Sequence, residues 1–150
     1  MRTNAASLFS KKCVFISAGG NPCKTSAGWP PVMTLTLAII GHLVGDYLLQ
    51  NDWMALNKKQ RSLPCAVHCT LWTLAVCGFA GWISLPAIAV LWVTHFIQDR
   101  THIIEFWMTR INRQPEFVKP PFAPWSLIVV DNVWHIVAVW AVWRFLMHQA

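Results

Sequence analysis

Charge is scarce in this chain: Asp, Glu, Lys and Arg make up only 12% of its 150 residues, about half the share of an average soluble domain. Acidic residues number six, and tyrosine occurs once. So thin an ionic complement argues against an ordinary water-facing exterior. The positive excess is no nucleic-acid face either. Of twelve Lys and Arg, four (Arg2, Lys11, Lys12, Lys24) precede residue 33, leaving eight against all six acids, and a net of about +2 falls far short of the basic footprint such binding needs. Cysteine is odd in number, with Cys65, Cys69 and Cys77 of the five inside one apolar run, which argues against a disulfide framework.

What is abundant is apolar surface: 55% of the residues are hydrophobic and ten are Trp, with a mean hydropathy of +0.43. Residues 1–32 differ from the rest. They hold Gly19-Gly20, Pro22 and Pro30-Pro31, and their apolar stretch from Cys13 to Ile16 is too short for a signal-peptide core. They read as a disordered leader, and Met33, which opens the first long apolar run, is an alternative start. Residues 33–150 read as one domain, an all-α four-helix transmembrane bundle. Its apolar runs, 33–50, 64–83, 85–104 and 125–147, each approach the roughly 30 Å of a hydrocarbon core at about 1.5 Å per residue.

Ser84 and Pro86 suit the start of a helix that turns straight back from the second run, and Pro120-Pro121 and Pro124 block helix before the fourth. Trp53, Trp82, Trp107 and Trp125 stand near run ends, where amphipathic rings meet lipid headgroups. Lys58, Lys59 and Arg61 crowd the first joint and Arg110, Arg113 and Lys119 the third, whereas the second joint is uncharged. By the positive-inside rule the first and third joints face the cytoplasm and both ends of the bundle lie outside it. The leader's positives and Arg144 point the other way.

An Asp at the centre of a bilayer helix costs roughly 2.5–3.5 kcal/mol on the insertion scale, so ionisable residues there are functional candidates. The runs contain His42-x-x-x-Asp46, the lone His68, His95-x-x-x-Asp99 and Asp131-x-x-x-His135. A separation of four stacks both members of a pair on one helix face. Counted from the cytoplasmic ends, all seven lie at one level, with the Asp residues shallow and the His residues deeper. His42, Asp46, His68, His95, Asp99, Asp131 and His135 form a ligand set suited to Zn, Mn or Fe, with carboxylates able to bridge two ions, and a helix bundle readily encloses such a set. Two other readings stand beside it: a hydrogen-bonded network that fixes helix packing, and a proton or ion relay.

Around this set lie residues of less specific meaning. His102 continues the face of His95 and Asp99 but falls at the interface, where a solvated ring is expected. Cys65 lies one turn before His68 and reads as a packing residue. Gln50 and Asn51 end the first helix and suit bonds to headgroups or neighbouring carbonyls. Gly41 and Gly45, spaced by four, suit close helix contact. The cluster Lys58-Lys59-x-Arg61 is a topology signal, and Arg100 is expected to reach lipid phosphate rather than Asp99.

The run His42-Leu43-Val44-Gly45-Asp46-Tyr47-Leu48-Leu49-Gln50-Asn51-Asp52-Trp53-Met54-Ala55, with Asn57-Lys58-Lys59, His68, His95-Phe96-Ile97-Gln98-Asp99 and Asp131-Asn132-x-x-His135, resembles an uncharacterised family of small membrane proteins of bacteria and their phages, catalogued as a domain of unknown function. The resemblance covers about residues 36–147. It implies a compact four-helix membrane protein of bacterial or phage origin and brings no established activity; with the charge pattern of the joints, the chain reads as a multi-pass protein of the bacterial inner membrane. A weaker likeness, confined to His and Asp in short apolar helices, is to integral-membrane proteins described as metal-dependent hydrolases. Residues 42–47 and 95–100 also resemble each other, as a duplicated helical hairpin would.

The expectation is a divalent metal centre that hydrolyses a lipid-linked or other membrane-proximal bond at the cytoplasmic leaflet. The His residues would be ligands, and Asp46, Asp99 and Asp131 would divide the roles of bridging ligand and general base. A homo-oligomer is compatible with it. The rival is a non-enzymatic membrane protein, either a relay or a phage factor that binds host membrane proteins.

Overall fold

A computed structural model of the chain describes residues 30–147; the expected leader thus lies almost wholly outside the described residues. Among them all regular structure is helical. Helix α1 spans Pro31–Leu43 and runs on as a wider π-helical turn over Val44–Leu48, α2 spans Asp52–Asn57, α3 Ser62–Ala80 and α4 Leu85–Arg100. Helix α5, Ile103–Phe106, continues as a π-helical turn to Ile111, and α6, Trp125–Val142, does so to Met147. The four long helices close into a ring in which α1 packs on α3, α3 on α4, α4 on α6 and α6 back on α1.

Local chemistry explains the joints. Asn51 caps α2, its side chain accepting the Met54 N–H at 3.0 Å; it ends no headgroup-bound helix as the sequence suggested. Gly81 stops α3 in the left-handed conformation, φ 68°, where a Cβ would be strained. Ser84 and Pro86 then start α4, giving the tight hairpin. Gly41 and Gly45 are the contact of α1 with α3: a Cβ on Gly41 would lie 2.7 Å from the Ala75 carbonyl oxygen, and one on Gly45 2.7 Å from the Trp72 indole.

Two of the four expected spans stand as helices long and apolar enough to cross a membrane, Ser62–Ala80 and Trp125–Met147. Val32–Leu48 is a shorter apolar helix, and α4 stops at Arg100 after 16 residues, about 24 Å. Apolar side chains face outward along the helices: Val129, Val133, Val137 and Trp140 form one exposed stripe on α6, and Val90, Val93 and Ile97 another on α4.

The apolar core occupies the end of the ring near the α3–α4 hairpin, where Ala38, Trp72, Val76, Leu91 and Val139 meet. Trp82 belongs to it, only 2% exposed; the αL turn at Gly81 folds this ring inward, away from the lipid-facing place expected of it. Trp125 and Trp53 do lie exposed at helix starts, and Trp107 packs edge-on against Trp134.

Candidate metal centre

One helical turn beyond the core, each long helix contributes a histidine: His42 follows Ala38 on α1, His68 precedes Trp72 on α3, His95 follows Leu91 on α4, and His135 precedes Val139 on α6. All four are at most 1% exposed. Their rings form one layer, with centroids 5.0 Å apart for His68 and His95, 4.1 Å for His95 and His135, and 5.7 Å for His42 and His135. A further turn away, Asp46, Asp99 and Asp131 form the next layer. Fixed helical rise and antiparallel packing therefore bring all seven expected residues to one end of the bundle. Trp72 is the floor, stacked on His95 at 4.0 Å.

Within the cluster two imidazole nitrogens each approach two carboxylates. Nε2 of His68 lies 3.0 Å from Nε2 of His95, 3.2 Å from Asp46 Oδ1 and 3.1 Å from Asp99 Oδ2. Nε2 of His95 lies 3.1 Å from the same Asp99 oxygen and 3.7 Å from Asp46 Oδ1. Ligands about 2.0–2.1 Å from a tetrahedral zinc are separated by about 3.3–3.4 Å, and these separations bracket that length. Two neutral imidazoles carry one ring proton each, so the four atoms cannot all be joined by hydrogen bonds; a cation at their centre would turn the opposed lone pairs into ligands. Nδ1 of both rings lacks a hydrogen-bond partner; Trp72 stacks on the His95 ring, and His95 packs on His68.

The other members are differently engaged. His42 accepts the Trp72 indole N–H on Nδ1 at 3.0 Å, and its Nε2 lies 3.2 Å from the Asn132 side-chain oxygen. It belongs to none of the groups whose ligand atoms cluster closely enough to hold a metal ion among the described residues; those are Asp46 with His68 and His95, Cys69 with His95 and Asp99, and Asp99 with Asp131 and His135. His102 stands 74% exposed and contacts Glu105 at 3.3 Å, apart from the buried set. Cys65 lies 3.9 Å from Cys69, and it is Cys69, not Cys65, that reaches the cluster.

Lys58 is the residue that sequence reasoning placed elsewhere. Its ammonium sits 3.1 Å from both oxygens of Asp99. Burial works against that charge, but the Asp99 carboxylate outweighs it and holds the Lys58 pKa above its ordinary value. Next to it, Lys59 donates to the carbonyls of Asp99 and Thr101 at 3.2 and 3.0 Å, capping α4, while Arg100 bonds the carbonyls of Lys59 and Gln60. Arg100 thus leaves Asp99 alone, as expected, though its partners are protein. With neutral imidazoles, three carboxylates and one ammonium leave a formal charge of −2, which one divalent cation balances.

A cleft of about 510 Å³ opens onto this end, lined by Asp46, Asp99, Asp131, Lys58, Tyr47 and Gln50 among others. The three carboxylate residues thus border the cleft, although Asp46 Oδ1 is buried and Asp99 is only 1% exposed, and the imidazoles stay sealed behind them.

A family model described as a protein of unknown function, DUF3307, matches residues 34–150. No curated protein and no solved structure matches the chain.

Proposed function

We propose that this chain, which belongs to the DUF3307 family, is a membrane-embedded metalloprotein that holds a divalent cation between Asp46, His68, His95 and Asp99 and hydrolyses a lipid-linked or other membrane-proximal substrate. The carrying observation is that two imidazole nitrogens 3.0 Å apart, from α3 and α4, each lie 3.1–3.7 Å from an oxygen of Asp46 and an oxygen of Asp99. The donor set of nitrogen and oxygen suits Zn, Mn or Fe. Such an ion would lower the pKa of a bound water and polarise an acyl or phosphoryl oxygen.

The chain's own residues supply the rest. Asp131 lines the cleft, and its Oδ1 is buried without a hydrogen-bond partner, which leaves it free to accept a proton or a cation. Lys58 at the same wall suits binding of an anionic substrate group. The exposed Val, Ile and Trp stripes on α4 and α6 surround the buried His and Asp layers, a distribution that a bilayer selects, and support entry of a lipid headgroup at the cleft.

Elemental analysis of the full chain purified in detergent tests the reading. Near-stoichiometric Zn, Mn or Fe that disappears in Asp46→Asn with His95→Ala supports it, as does hydrolysis of ester or phosphodiester lipids abolished by chelator. Metal-free protein whose melting temperature no divalent ion changes overturns it in favour of a hydrogen-bonded network.

A further inference from the structure

We infer that a second divalent cation binds beside the first, held by Asp99, Asp131 and His135, with Asp99 shared between the two centres. This deepens the metal-centre reading and rests on it.

The sharpest observation is the state of His135. Its Nδ1 lies 2.8 Å from the Asp131 backbone carbonyl, an acceptor only, so Nδ1 carries the ring proton and the lone pair sits on Nε2. A neutral imidazole oriented by such a bond is prepared as a metal ligand. That Nε2 is buried and has no partner, and Asp131 Oδ1 is in the same condition. One ligand atom from each of Asp99, Asp131 and His135 lies within 4.8 Å of the others; the Asp131 carboxylate now stands 3.7 Å from His135 Nδ1, and a cation on Nε2 would draw it round the ring. Two unsatisfied buried acceptors, one of them a carboxylate oxygen, with a second carboxylate close by are costly without a cation.

The first centre is adjacent, since the His135 ring lies 4.1 Å from that of His95 and Asp99 Oδ2 already faces His68 and His95. The remaining Asp99 oxygen is the one to turn outward. Lys58 stands there now, 3.1 Å from Oδ1, as a single positive charge in the place of a double one. It sits on the wall of the open cleft, so it has room to withdraw. Because one divalent ion already balances the formal charge, a second leaves the site positive by about two charges with Lys58 in place, and an oxyanion in the cleft offsets it.

The experiment uses the detergent-solubilised full chain, Mn²⁺ and inorganic phosphate, with bound metal measured after equilibrium dialysis and EPR recorded on the same samples. Two equivalents in wild type with the spectrum of an exchange-coupled pair, falling to one uncoupled equivalent in His135→Ala and in Asp131→Asn, support the second centre. One equivalent in wild type, or two that persist in both variants, overturns it and leaves the first centre standing. No bound Mn²⁺ at all overturns both. Should His135→Ala fail to fold, Asp131→Asn carries the test, since Asn keeps the size of the side chain.

Discussion

Trp72 donates its indole N–H to Nδ1 of His42 at 3.0 Å. An indole nitrogen can only donate, so His42 Nδ1 is the acceptor and the ring proton lies on Nε2, directed at the Asn132 oxygen. Asn132 in turn donates to the Tyr47 hydroxyl at 2.6 Å and to the Ile128 carbonyl at 2.9 Å, which fixes its amide the same way round. His42 has therefore no lone pair left for a cation, and its 3.1 Å approach to Asp46 Oδ2 is a contact rather than a hydrogen bond.

Removal of single histidines is accordingly unequal. His68→Ala and His95→Ala lose the first cation. His42→Gln retains it with an affinity lowered about 10–100-fold, the effect of an outer partner, because Trp72 loses the acceptor that orients it against His95. Metal titration of the three variants checks this; a His42→Gln protein as empty as His95→Ala would place His42 among the ligands.

The Lys58–Asp99 pair gives a pH signature. The pair raises the Lys58 pKa in the folded protein, so its stabilisation is fully present below the unfolded value of about 10.4 and disappears as pH rises through the higher folded value. Breaking a buried pair by removing one partner costs about 3–5 kcal/mol, and the Lys58 side chain is only 18% exposed. Metal-free Lys58→Met should thus melt well below wild type at neutral pH, the gap narrowing only above about pH 10.4. Added divalent cation should close part of the gap by replacing the lost positive charge. A gap that is constant through alkaline pH would refute the ionic account.

Helical arithmetic made the two polar layers legible in the sequence. Pairs four apart, read at equal depth on antiparallel helices, place His42, His95 and His135 in one layer and their Asp partners in the next, and His68 joins the histidines from α3. Engagement within the layer was not legible. Trp72 stands four residues after His68, a spacing that hints at a shared face, yet among ten Trp nothing in composition marks it as the donor that occupies His42. Lys58 read as a topology signal because its role depends on how the joint after α2 folds against the end of α4, a long-range fact. Span lengths misled for a similar reason: the apolar run continues past Arg100 to Ile104, but Lys59 caps the carbonyls of Asp99 and Thr101 and ends α4 early.

Packing of α1 on α3 offers a test independent of metal. A Cβ at Gly41 would meet the Ala75 carbonyl oxygen at 2.7 Å and Val76 Cα at 2.8 Å. Both are backbone atoms that cannot rotate aside, so Gly41→Ala forces the helices apart at a cost of about 1–3 kcal/mol. The neighbouring layer holds His42, and metal affinity should fall together with the melting temperature. At Gly78, by contrast, no atom lies within 4 Å of an added Cβ, and Gly78→Ala should be neutral or mildly stabilising, since alanine favours helix by up to about 1 kcal/mol. Equal effects of the two substitutions would remove close α1–α3 contact as the reason for Gly41.

Orientation in the bilayer is the last expectation and the most exposed to refutation. Lys58, Lys59 and Arg61 lie in the α2–α3 joint and Arg110, Arg113 and Lys119 between α5 and α6, whereas Gly81–Ser84 carries no charge. The positive-inside rule assigns the charged end, with the cleft and the His/Asp layers, to the cytoplasm. The outward stripe of Val129, Val133, Val137 and Trp140 on α6 then faces acyl chains. Helix α4, about 24 Å long at 16 residues, would then need local thinning of the bilayer, at a modest cost for each ångström of mismatch. The protein should stay with the membrane fraction through alkaline carbonate extraction. Alkaline phosphatase fused after residue 147 should be active, being outside the cytoplasm, and the same enzyme fused after residue 60 inactive, with a fluorescent protein giving the inverse pattern. Activity at residue 60 would turn the cleft outward, and any substrate reaching Asp46 and Asp131 would then have to come from the opposite leaflet.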